Sequence, residues 1–114
     1  MEKRAKKKKQ LMYKGKPVYR KGNRILYGNL EDDLILVIDI TESEEVNGVP
    51  VTKRAAFSIR DNTGALGEGT IYRKAEREDL YKAFDLGSWW LQDALDAKEL
   101  AAQLQHLYHR KRDV

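Results

Sequence analysis

The densest apolar run is Leu34-Ile35-Leu36-Val37-Ile38-Asp39-Ile40-Thr41-Glu42. It is followed by Val51-Thr52-Lys53-Arg54-Ala55-Ala56-Phe57-Ser58-Ile59-Arg60, and Asn47-Gly48 lies between the two. Asn-Gly is a favoured pair for a two-residue type I′ turn between antiparallel strands. With Asn47 and Gly48 at the loop positions, counting outward sets Val46 opposite Val49, Ile40 opposite Ala55, Ile38 opposite Phe57 and Leu36 opposite Ile59. These pairs put apolar side chains on one face. The other face pairs Thr41 with Arg54, Asp39 with Ala56, Val37 with Ser58 and Ile35 with Arg60. A one-residue slip would exchange the two faces, so pattern and turn chemistry fix the same register. Pro50 cannot donate a ladder hydrogen bond, which predicts splayed or bulged strands near the turn.

An earlier hairpin is predicted from Pro17-Val18-Tyr19-Arg20 and Arg24-Ile25-Leu26-Tyr27, joined through Gly22-Asn23. Gly28-Asn29 makes a second turn before the acidic Glu31-Asp32-Asp33. Residues 61–67 read as a loop, and Gly69-Thr70-Ile71-Tyr72-Arg73 as a further strand. The period then changes. Ala75 to Phe84 fits a short helix with Leu80, Tyr81 and Phe84 inward, ended by Gly87 at its C′ position. Ser88 is placed to cap a second, longer helix running to about Tyr108.

At 100° per residue, Trp90, Ala94, Ala97, Ala101, Leu104 and Tyr108 form one stripe on that helix. Leu91 and Leu95 flank it on one side, and Trp89, Leu100 and Leu107 on the other. The apolar arc spans about 240°, wider than one sheet contact requires. The fold class is therefore α+β: an antiparallel β-meander of four to five strands, followed by a short and a long C-terminal helix packed on one face. Trp90 is assigned to the core. Trp89, Leu100 and Leu107 are candidate interface residues, since an uncovered apolar flank usually marks a binding surface.

Charge divides the chain of 114 residues into unequal parts. Residues 1–24 carry eleven Lys/Arg and one acid, whereas residues 25–114 carry eleven Lys/Arg and seventeen acids. Residues 1–10, with six Lys/Arg in the first nine, are expected to be a disordered basic arm. Residues 11–114 are expected to form a single domain. The basic start lacks the apolar stretch of a secretory signal, and there is no cysteine, so a cytoplasmic location is expected. No apolar run approaches the ~18 residues of a membrane span, and no membrane partner is expected.

Candidate chemistry is sparse. Without cysteine there are no disulfides, thiol nucleophiles or thiolate metal sites. His106 and His109 are three apart on a helix but lie on its polar side beside Arg110-Lys111-Arg112, and read as a surface pair. Gly64-Ala65-Leu66-Gly67-Glu68-Gly69 leads into a strand rather than a helix and lacks a Lys-Ser/Thr pair, so it reads as a connection and not a phosphate loop. Asp39 interrupts an apolar strand and reads as half of a cross-strand ion pair. No cofactor or metal is expected, and the chain is not expected to be an enzyme.

Phe57-Ser58-Ile59-Arg60-Asp61-Asn62-Thr63-Gly64, continued to Tyr72, resembles a hairpin of OB-fold nucleic-acid-binding domains. The resemblance covers sixteen residues, and a full OB-fold would need strands after the helix, where this chain instead has strands before the hairpin. The expected function is that of a small binding module for an unassigned protein partner or for itself as a homodimer. The alternative is a nucleic-acid- or ribosome-associated protein. Its contacts would be Lys6, Lys7, Lys8 and Lys9 of the arm, displacing counterions from phosphate, together with Tyr19, Arg20 and Arg24 of the first hairpin.

Overall fold

The structure is a computed structural model that describes residues 10–63 and 68–112, the side chains of 107–112 excepted. Six described strands form one antiparallel sheet: β1 (Leu11–Tyr13), β2 (Lys16–Lys21), β3 (Arg24–Tyr27), β4 (Leu34–Val46), β5 (Val49–Asp61) and β6 (Ile71–Arg77). They lie in the sheet in chain order, and one helix, α1 (Leu80–Arg112), follows. The α+β class and the antiparallel meander are as expected, but six strands lie among the described residues where four to five were expected. The added strand, β1, turns into β2 through Lys14 and Gly15, whose φ values of 50° and 79° give the same left-handed turn that Asn47 (53°) and Gly48 (80°) make between β4 and β5. The sequential strand order also differs from the Greek-key order of an OB-fold, so that resemblance ends at the hairpin.

The β4–β5 register follows the count from the turn. Ile38 pairs with Phe57, Leu36 with Ile59, Ile40 with Ala55, and Val46 with Val49. The exception is Thr41, expected opposite Arg54. Two register shifts fall between Ile40 and Ser43, Arg54 pairs with Glu42, and the Thr41 hydroxyl donates to the Arg54 carbonyl at 3.2 Å. The irregularity sits several residues from Pro50, whose position still pairs with Glu45.

One helix replaces the two expected. It begins where Asp79 accepts hydrogen bonds from the backbone N–H of Tyr81 (2.7 Å) and Lys82 (3.2 Å), an N-cap that leaves Ala75 in β6. Gly87 does not end the helix, and Ser88 does not start one. Ser88 is buried, and its hydroxyl donates back to the Asp85 carbonyl at 3.0 Å. Gly87 is instead the point of closest approach to the sheet. A β-carbon there would lie 2.7 and 2.9 Å from the two Leu36 methyl carbons.

The helix covers one face of the sheet. Ile25, Tyr27, Leu34, Leu36, Ile38, Ala55, Phe57 and Ile59 are buried there with Ala83 and Leu91. Tyr13, Tyr27 and Phe84 pack edge-to-face, with ring centroids 4.8–5.8 Å apart. Phe57 meets Trp90 at 5.0 Å, and the Arg73 guanidinium stacks 3.8 Å from the Trp90 ring centre. Trp90 thus joins the core, as its place in the stripe predicts.

Candidate functional site

Two surfaces are left once the core is accounted for. The first is the second half of α1. At 1.5 Å per residue the helix is about 50 Å long, and the sheet supports only its first half. Leu91 is fully buried and Leu95 half-buried, whereas residues 96–106 are all exposed. The positions that face the sheet, Leu80, Ala83, Gly87, Trp90 and Ala94, follow alternating spacings of three and four. The same spacing runs on through Ala97, Ala101 and Leu104 into solvent. At the sheet rim this stripe borders an apolar groove of about 430 Å³, formed by Leu34, Ile59 and Tyr72 against Ala94, Ala97 and Ala101. Lys98 reaches Asp33 at 3.6 Å and ties the start of the overhang to the β3–β4 connection.

Trp89 and Leu100, two of the candidate interface residues, are 66% and 55% exposed. They lie within about 20° of one another around the helix, on the flank of the bare stripe rather than along it. The side chain of Leu107 lies outside the described residues. Leu104, a member of the stripe read from sequence, is 55% exposed. What periodicity could not give was the point at which the sheet ends under the helix.

The second surface is the face of the sheet turned away from α1. Leu26, Ile35 and Val37 are buried there with Tyr19 packed against them, beside a run of charged side chains. Arg24 holds Asp39 with two hydrogen bonds, Nε to Oδ1 at 2.7 Å and Nη2 to Oδ2 at 3.1 Å. Asp39 is therefore half of a cross-strand ion pair, but with Arg24 of β3. Arg60 adds a contact to Asp39 at 3.7 Å, and Arg24 one to Glu68 at 3.7 Å. The Asp39 hydrogen bond raises the Arg24 pKa above the ordinary guanidinium range; burial opposes the shift, and the Asp39 and Glu68 charges reinforce it.

The first-hairpin residues of the nucleic-acid alternative do not form one surface. Tyr19 and Arg24 face this side, Tyr19 half-buried and Arg24 engaged by Asp39. Arg20, paired with the buried Ile25, belongs to the opposite side, and its Nε donates to the Gly22 carbonyl at 2.8 Å. Lys6, Lys7, Lys8 and Lys9 lie outside the described residues, as do residues 64–67 of the glycine-rich connection. His106 is exposed, and the side chain of His109 is not described. Among the described residues, no group of three or more His, Asp or Glu is placed to hold a metal ion, and no helix is long and apolar enough to cross a membrane. No protein-family model, curated protein or solved structure matches the chain.

Proposed function

We propose that this protein is a small non-catalytic interaction module that works as a homodimer, with the overhanging half of α1 as its contact. The observation that carries this reading is the continuation of the sheet-facing stripe into solvent at Ala97, Ala101 and Leu104, with Leu100 exposed at its edge. Apolar surface of this kind on a free helix is costly to leave in water. The alanines let a second helix approach closely, toward the short end of the usual 8–10 Å interaxial range.

Charge selects a second copy, and its direction. The exposed Asp93 and Asp96 lie ahead of the stripe, and the basic turn 110–112 lies behind it. An antiparallel pair centred near residue 102 brings the basic turn of each copy alongside Asp93 and Asp96 of the other. A parallel pair would set like charges together. Antiparallel pairing also has the two-fold symmetry of the commonest closed assemblies.

The test is the mass in solution by light scattering at high micromolar concentration. The expected result is a dimer, converted by Leu100→Lys with Leu104→Lys into a monomer of unchanged circular dichroism. A monomeric unmodified chain, or a dimer that survives both substitutions, overturns the reading.

A further inference from the structure

The face of the sheet opposite α1 contains a groove of about 420 Å³, within the range of small-ligand sites. Ser58 forms part of its floor and is 4% exposed. Its Oγ accepts a hydrogen bond from Arg60 Nε at 2.8 Å. A serine hydroxyl also carries a proton to donate, and among the described residues that proton has no acceptor. The hydroxyl is held through its oxygen, and its proton is left to donate to water or to a ligand in the groove.

The groove also supplies a cation from the neighbouring strand. Lys74 lines it and is the register partner of Ser58 across β5 and β6. Among the described residues Lys74 forms no ion pair. The two acids of the groove are already engaged, Asp39 by Arg24 at 2.7 Å and Glu76 by Arg54 at 3.0 Å. Ala56 and Ile71 give the remaining wall an apolar character.

We propose that this groove binds a small aliphatic carboxylate. The Ser58 hydroxyl donates to one carboxylate oxygen, the Lys74 ammonium to the other, and the alkyl part lies against Ala56 and Ile71. Arg60 contributes positive potential from the floor while it orients the Ser58 oxygen. The Asp39 and Glu76 carboxylates make the site selective for a monoanion, because a second negative charge on the ligand would face them. The site is separate from the helix overhang and does not depend on the dimer.

Butyrate and inorganic phosphate, titrated separately into the isotope-labelled full chain with amide chemical shifts as readout, test the proposal. Butyrate is expected to produce saturable shifts centred on Ser58, Ile71 and Lys74, with phosphate weaker. Ser58→Ala and the exposed Lys74→Gln are each expected to weaken butyrate about tenfold, the loss of one hydrogen bond to a charged group. Shifts that do not saturate, as when water alone satisfies Ser58, overturn the proposal. So does butyrate binding unchanged in Lys74→Gln, or phosphate binding tighter than butyrate. Light scattering on the same samples reads the dimer independently.

Discussion

Gly87 of α1 lies directly against the side chain of Leu36 on β4, so closely that a β-carbon at 87 would fall 2.7 Å from one leucine methyl carbon, and Phe57 closes the space at 3.3 Å. Leu36 is fully buried, so its methyl groups can move away only by displacing other core side chains. Gly87→Ala would gain about 1 kcal/mol of helix propensity. Overpacking a closed core costs about 1–3 kcal/mol, and the second effect is expected to prevail. Urea denaturation should show a less stable Gly87→Ala protein. A more stable variant would mean that Leu36 yields without cost.

Phe57 joins the two halves of the core, opposite Ile38 within the sheet and against Trp90 of the helix. Phe57→Ala is expected to cost about 3–5 kcal/mol, a large share of the ~5–15 kcal/mol that holds a domain of this size together. Thermal unfolding measures it. A loss below about 0.5 kcal/mol, the level of an ordinary surface change, would contradict the packing described.

Asp61 ends β5 by accepting hydrogen bonds from the Thr63 hydroxyl (2.5 Å) and the Thr63 N–H (3.2 Å). The Thr63 hydroxyl is the larger cause of a carboxyl pKa held below its ordinary value; the Thr63 N–H and Thr70 add to it, and desolvation opposes it. The folded chain therefore keeps this charge at a pH where the unfolded chain, near about 3.9, takes up a proton. The stability so gained is complete above the unfolded value and is lost as pH falls through the folded one. The difference in stability between the unmodified protein and Asp61→Asn should be constant near neutrality and narrow below about pH 4. A difference that stays constant into acid would exclude this role.

The sequence made the central hairpin readable because two independent signals met there. Asn47-Gly48 marked the turn, and the apolar set Leu36, Ile38, Phe57 and Ile59 fell on one face only when counted from it. Thr41 broke the count because a bulge depends on backbone fit, which alternation does not record. The helix was misdivided for a related reason. A glycine that ends a helix and one that admits a leucine side chain look alike in sequence, and only the sheet beneath distinguishes them. Lys14-Gly15 was missed because lysine is an uncommon residue at positive φ.

The surfaces were less readable than the core. Trp89 and Leu100 could be placed on a helix flank by angle alone, but the bare stripe beside them depends on where the sheet stops. Asp39 was recognised as an ion-pair residue, although its partner comes from β3, a strand with no charge pattern that points to it. Ser58 gave no signal at all. Only its burial and the one hydrogen bond that its hydroxyl makes among the described residues set it apart from any other strand serine.

The six described strands lie in the sheet in the order in which they are made, and three of the five connections between them are two residues long. Closing such short loops costs little chain entropy, so each hairpin can form as soon as its second strand is complete. The helix differs, because its apolar stripe has nothing to rest on until the sheet exists. Folding should therefore advance by zippering from the β4–β5 hairpin, with α1 docking late. Kinetic φ-values should be high at Ile38 and Phe57 paired across that hairpin, and low at Leu91, with the reverse order excluding this sequence of events. During synthesis, a chain halted before residue 80 would present Leu36, Phe57 and Ile59 as an open apolar floor, and arrival of the helix is the step that closes it.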